Sequence, residues 1–137
     1  MIVVIDTNVA LTLFRRSHPN RPILDAWVEG RLHWAISTEI LLEYEEVSTR
    51  MKGQAYAALI FRTLATVDLW KKNLRHIAPS FRFHLITHDP DDNKFADCAI
   101  AAEADFIITE DRHFQSLTGS GYKPQPVTPA EFIAAYL

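Results

Sequence analysis

The hydrophobic positions of this chain follow two alternating rhythms. Residues 1–5, MIVVI, form a continuous β-branched run, as in a strand buried on both faces of a parallel sheet. Asp6, Thr7 and Asn8 follow, and residues 9–14 read as a short helix. Pro22 suits the first position of a helix over 22–29, which Gly30 can end. Residues 32–36 are a second strand. Ser37 or Thr38 then caps a helix to about Lys52, with Ile40, Tyr44, Val47 and Met51 as its apolar stripe. Beyond Gly53, a long helical pattern over 54–75 carries Ile60, Leu64, Val67 and Leu74 on one face, widened by Leu59, Phe61 and Trp70. That face belongs in the core or, if exposed, at a dimer surface. Residues 81–87 alternate like a strand. Asp89-Pro90-Asp91-Asp92 is turn chemistry before a helix, with Asp91 or Asp92 as cap. Residues 95–102 are apolar nearly all round, 106–109 form a short buried strand, and Phe114 and Leu117 mark a short helix. Residues 125–127 read as an edge strand. Thr128-Pro129-Ala130-Glu131 combines a capping box with a first-turn proline, so 132–137 is a docked terminal helix.

Strands and helices alternate, which predicts an α/β fold with a mostly parallel sheet in a single domain over 1–137. No apolar run has the length of a membrane span, and Met1 leads directly into a strand, so a cytoplasmic protein is expected. Cys98 is the one cysteine and cannot form an internal disulfide. His76, His84 and His88 stand singly and read as structural.

Charge changes the picture locally. The net charge of −3 gives no general reason to expect a nucleic-acid partner. Residues 88–111, however, hold eight of the chain's 17 acids and a single lysine, and outside that stretch bases outnumber acids. Asp97 lies inside the apolar run 95–102, where a bare buried charge is too costly to leave uncompensated. Asp111 follows the strand 106–109, and Asp6 follows the first strand. Acids at the carboxyl ends of parallel strands point toward the crevice in which α/β sheets bind ligands. For Asp6, helix cap and site residue are both open on these residues alone. Glu43 lies at the margin of its helix's apolar stripe, whereas Glu45 and Glu46 belong to the solvated face. Asp89 and Asp91 fit turn roles, and Asp92 can also lean into the cleft.

Four acids therefore remain, Asp6, Glu43, Asp97 and Asp111. Oxygen ligands without His or Cys select Mg²⁺ or Mn²⁺ over zinc. No nucleophile–base pair, Walker loop or dinucleotide fingerprint is present. Metal-assisted hydrolysis of a phosphodiester is the best chemical fit.

Four segments then carry a specific resemblance. VVIDTNV, STEILLEYEEV, DPDDNKFADCAIAAEAD and FIITEDRHF, in that order, resemble the signature segments of PIN domains, most closely those of bacterial toxin–antitoxin toxins. The resemblance covers nearly the whole chain. It implies a three-layer α/β/α sandwich and a Mg²⁺- or Mn²⁺-dependent endoribonuclease restrained by an antitoxin. It also implies that Asp6, Glu43, Asp97 and Asp111 are the catalytic, metal-binding acids. Asn8 and Thr109 match the small polar residues that hydrogen-bond in such sites, and Asp92 matches a recurrent acid. Glu103 stands where relatives usually have Gly. Arg15, Arg16 and Arg112 are the rim cations expected to hold an RNA backbone, and a homodimer is expected. Two rival readings are an RNA-binding module that cleaves nothing, and a phosphotransfer domain with Asp6 as nucleophile. Asn8 stands where the latter usually has a second aspartate.

Overall fold

Ile2–Ile5 carries no polar side chain, and this strand (β1) lies at the centre of the sheet. In this computed structural model, which describes residues 1–86 and 89–137, it is joined by β2 (His33–Ile36), β3 (Leu74–His76), β4 (Phe106–Ile108) and β5 (Gln125–Val127). The order is β3-β2-β1-β4-β5 and every pairing is parallel. Pro126 lies in β5, at the edge, where a missing N–H costs no ladder bond.

The helices are α1 (Thr7–Ala10), α2 (Arg21–Val28), α3 (Thr38–Lys52), α4 (Gln54–Lys71), α5 (Asn93–Ala101) and α6 (Pro129–Tyr136). Right-handed parallel connections place α2, α3 and α4 on one face of the sheet and α5 on the other. The packing agrees. Trp34 of β2 touches both Trp27 of α2 and Tyr44 of α3, with ring centroids 5.4 and 6.1 Å away, and α2 meets α6. On the opposite side α5 crosses β1, β2 and β4. The two faces meet where α3 touches α5.

Several sequence expectations hold, among them Ser37 capping α3 through Ile40 N–H, and the Thr128–Glu131 capping box. Others are corrected. The helix expected over 54–75 stops at Lys71, because Lys72 is left-handed (φ 52°) and Asn73 turns the chain into β3. The buried Asn73 amide donates to the carbonyls of Trp27 and Leu32, 2.7 and 2.9 Å away, so it is a tertiary anchor that ends the helix. Trp70 (79% exposed) and Leu59 lie outside the core, as does Met51 at the frayed end of its stripe. Phe81 to Ile86 form no strand, and the seventh residue of that expected element, Thr87, lies outside the described residues, as does His88. Asp89, instead of Asp91 or Asp92, caps the turn Pro90–Asp92 that precedes α5, through Asp91 N–H. Asp92 does take the expected N-cap position of α5, but its side chain makes no capping bond there.

Candidate metal centre

Strand register builds the site. Ile5 pairs with Ile108, so the next residues, Asp6 and Thr109, face each other at the carboxyl edge. The Thr109 hydroxyl donates to Asp6 Oδ2 at 2.8 Å and accepts from the Asp111 N–H at 2.9 Å. One hydroxyl thus ties two acids from neighbouring central strands. Asp6 Oδ1 accepts from Thr7 N–H at 2.7 Å, as the N-cap of α1. Cap and site position are therefore the same residue, one oxygen serving each.

Helix α3 contributes two successive side chains. The buried Tyr44 hydroxyl donates to the Ile5 carbonyl, and the Thr7 hydroxyl donates to Glu43. Tyr44 pins the helix to the end of β1 and so sets where Glu43 falls. From α5, Lys94 Nζ reaches Glu43 Oε1 at 2.7 Å and lies 5.4 Å from the centre of its neighbour's ring, Phe95.

The electrostatics follow from this crowding. Burial raises the Asp6 carboxyl above its ordinary value, its hydrogen bonds from Thr109 and Thr7 oppose the shift, and the charges of Glu43 and Asp111 add to it. Asp92 is pushed up to about 7, by burial first and then by Asp89, Asp6 and Asp111, with which it shares a hydrogen bond. Its Oδ2 is sealed from solvent and accepts no hydrogen bond from a donor among the described residues. Orphaned buried carboxylate oxygen beside further carboxylates is a donor set that suits a hard divalent cation. The residues present therefore fit the ion that the sequence implies.

The expected residues are not all placed alike. Asp6, Glu43, Asp111 and Thr109 converge, together with Asp92. Asp97 stands at the margin. Although only 4% exposed, it accepts from the Phe83 N–H at 3.0 Å and lines an adjoining cleft of about 260 Å³ with Lys94, Phe81, Arg82 and Glu39. Asn8 is exposed, and its neighbour Thr7 makes the hydrogen bonds. Arg15, Arg16 and Arg112 are exposed.

Sequence reasoning missed Thr7, Lys94, Asp89 and His113. Lys94 had a signal, since it lies three residues before Asp97 and so on the same helical face. His113 lies two residues past Asp111, with its Nδ1 3.4 Å from Asp111 Oδ1. Asp89 keeps its turn role and also faces Asp92.

The comparisons with known proteins bear on the fold and the family. No curated protein matches the sequence significantly. Among solved structures, the chain is similar to VapBC2 from Rickettsia felis bound to a DNA fragment from their promoter. That match has 18% identity and a TM-score of 0.58, and covers 92% of this chain and 98% of that one. It is also similar to FitAB bound to an IR36 DNA fragment, with 18% identity, a TM-score of 0.53, and coverage of 93% and 94%. At that identity the likeness speaks for the fold. The family model of the PIN domain matches residues 2–113, most of the chain and all of the strands and helices that hold the acids. This chain belongs to the PIN domain family.

Proposed function

We propose that this protein is a Mg²⁺- or Mn²⁺-dependent endoribonuclease and the toxin of a toxin–antitoxin pair. The observation that carries the reading is the gathering of Asp6, Glu43, Asp92 and Asp111 at one strand edge, with Lys94 as the cation bound among them. Asp6, Glu43 and Asp111 hold the ion, and Asp97 completes the set from α5. When bound, such an ion lowers the pKa of a coordinated water and stabilises charge on a phosphodiester in displacement. The chain's own groups preorganise that chemistry. Thr109 fixes the Asp6 carboxylate and Asp111 backbone together, Thr7 orients Glu43, and Tyr44 holds α3 in register with β1. Arg15, Arg16 and Arg112 hold the RNA backbone from the exposed rim.

The antitoxin partner rests on the signature segments and on a fold shared with VapBC2 and FitAB, each known bound to DNA. A homodimer belongs to the same reading, and the exposed Leu69 and Trp70 of α4 offer it an apolar surface. Among the described residues no helix is long and apolar enough to cross a membrane, and the reading places the protein in the cytoplasm.

The test incubates single-stranded RNA with MnCl₂ and either the natural protein or Asp6→Asn. Cleavage by the first and none by the second, with equal circular dichroism, is expected. Equal cleavage by both sinks the assignment. RNA retained but uncut under every divalent ion favours the binding module instead.

A further inference from the structure

We propose that the cleft beside Asp97 is a nucleobase pocket, which takes one unpaired base of a single-stranded RNA and stacks it on Phe81. The inference rests on the reading above for its occupant, RNA, and adds to the acid group a contact with a base.

The cleft holds about 260 Å³, just below the roughly 300–1,000 Å³ of pockets for drug-sized ligands, so it suits one small group. Ile77, Pro79 and Phe81 give it an apolar side, and Glu39, Arg82 and Lys94 a polar one. Lys94 joins the cleft to the acids, since its Nζ lies 2.7 Å from Glu43 Oε1. An occupant of the cleft is therefore one side chain away from the acid group.

Phe81 is 72% exposed, a large ring left in water where it lines a pocket. The ring is braced. It meets Phe83 at 6.3 Å between centroids, and Phe83 meets Tyr122 at 5.2 Å. Asp97 Oδ1 accepts from the Phe83 N–H at 3.0 Å and so ties this segment to α5. An exposed aromatic beside cations is the means by which proteins hold single strands, the base stacking on the ring while the cations attract the backbone.

Arg82 and Glu39 line the same cleft, 3.2 Å apart and both exposed, and so open a pair contributes little to stability. One hydrogen bond joins them among the described residues, from Arg82 to Glu39 Oε1. Most of the guanidinium's N–H donors and the second carboxylate oxygen stay open to the edge of a base. A protein's apolar side chain suits the apolar side alone, whereas a base has a stacking face and a polar edge together.

The experiment measures the anisotropy of a labelled single-stranded RNA with the full protein in CaCl₂, and gels check that the RNA stays intact. Each nucleotide in turn is replaced by an abasic one. At one position, losing the base should weaken binding at least about fivefold, the lower end of what a stacked base contributes. Phe81→Ala should cost a similar factor on the intact RNA and nothing further on the RNA abasic at that position, and Phe81→Trp should restore the affinity. An equal loss on abasic RNA, or no loss on either, overturns the pocket and leaves a protein side chain as its occupant. Failure of the natural protein to bind RNA overturns it as well. Cleavage in MnCl₂ is read separately: bound but uncut RNA with the Phe81 effect intact sinks the nuclease reading and keeps the base pocket.

Discussion

Two aspartates stitch the same pair of central strands at opposite ends. Asp105, at the amino end of β4, accepts from the Ile2 N–H at 2.8 Å, and Asp6, at the carboxyl end of β1, accepts from the Thr109 hydroxyl at 2.8 Å. Judged by hydrogen bonds they are equivalent. Their charged neighbours separate them. Asp105 has Lys123 at 3.1 Å, while Asp6 has Glu43 and Asp111. Burial raises both carboxyls. At Asp105 the Ile2 N–H and Lys123 outweigh burial and leave the group below its ordinary value, but at Asp6 the hydrogen bonds lose. A structural acid is thus neutralised from within the chain. A site acid is left for a cation from outside.

Substituting each aspartate by asparagine tests that contrast most strongly. Asp6→Asn should lower Mn²⁺-dependent RNA cleavage by roughly 10³-fold or more, the several kcal/mol that a metal contributes to charge stabilisation. Its metal-free stability should hold or rise, because one of several repelling carboxylates is gone. Asp105→Asn should leave cleavage unchanged and cost about 1 kcal/mol in urea unfolding, as expected for a partly exposed ion pair and one charged hydrogen bond. A comparable loss of cleavage in Asp105→Asn would show that the two ends of the sheet do not divide labour in this way.

The second test uses pH on the metal-free protein. Asp92 is raised from 3.8 to about 7, so the folded state binds its proton more tightly than the unfolded chain does. Stability from this group is present below about pH 4 and is lost as pH rises through about 7. The measured quantity is the unfolding free energy of the natural protein minus that of Asp92→Asn, which cancels other titrating groups. That difference should fall between pH 4 and pH 7. Saturating MnCl₂ should reverse the fall, adding about 2.7 kcal/mol at a hundredfold excess over Kd. A flat difference would mean that Asp92 is already neutralised within the chain, as Asp105 is.

Lys94 is where the two kinds of acid meet, because among the described residues it is the lysine or arginine paired with an acid of the carboxylate group, lying 2.7 Å from Glu43. Lys94→Met removes that cation and keeps the apolar stem against Phe95. The metal-free protein should lose about 1–2 kcal/mol, since Glu43 becomes an uncompensated, mostly buried charge. Mn²⁺ should restore most of the loss and bind more tightly than to the natural protein. Calorimetry that shows weaker Mn²⁺ binding instead would make Lys94 part of the ion site's support and not its competitor.

Much of this was legible in the sequence wherever local chemistry and tertiary structure agree. The β-branched run of β1, the Ser37 cap and the Thr128 capping box each encode their own element. The acids following β1 and β4 could be placed because the carboxyl end of a parallel strand has one functional direction. Legibility failed where a distant contact decides. Lys72 and Asn73 contain no Gly or Pro, and the helix ends there only because Asn73 finds the carbonyls of Trp27 and Leu32. Alternation in residues 81–87 suggested a strand, but within the described part Phe83 N–H is taken by the Asp97 side chain and Ile86 N–H by Asn93, so side chains of α5 replace a ladder. The same bond turns Asp97 toward the cleft, an orientation that helical spacing does not encode. His113 was passed over because a lone histidine is ordinary in sequence and becomes notable only beside Asp89 and Asp92.

The smallest effect belongs to the structural end of the sheet. Helix α2 closes with Arg31 N–H on the Ala26 carbonyl and Gly30 N–H on that of Trp27, and Gly30 has φ +87°. Helix α5 closes in the same way, with Ala104 N–H on Ala99 and Glu103 N–H on Ile100, but the left-handed residue is Glu103, at φ 52°. This double bond pattern favours glycine at that position, and an L side chain there costs about 1–2 kcal/mol. Glycine's greater freedom in the unfolded chain returns about 0.4–1 kcal/mol of that. Glu103→Gly should therefore stabilise the protein by up to about 1.5 kcal/mol in urea unfolding. Lys123, whose Nζ donates to the Glu103 carbonyl at 3.1 Å, keeps that backbone partner in the variant. Cleavage and Mn²⁺ binding should not move, because the residue lies by Asp105 and away from the acids. A change in either would mean that strain at the end of α5 reaches Asp97 and Asp92 through the helix, and the two ends of the sheet would then be coupled.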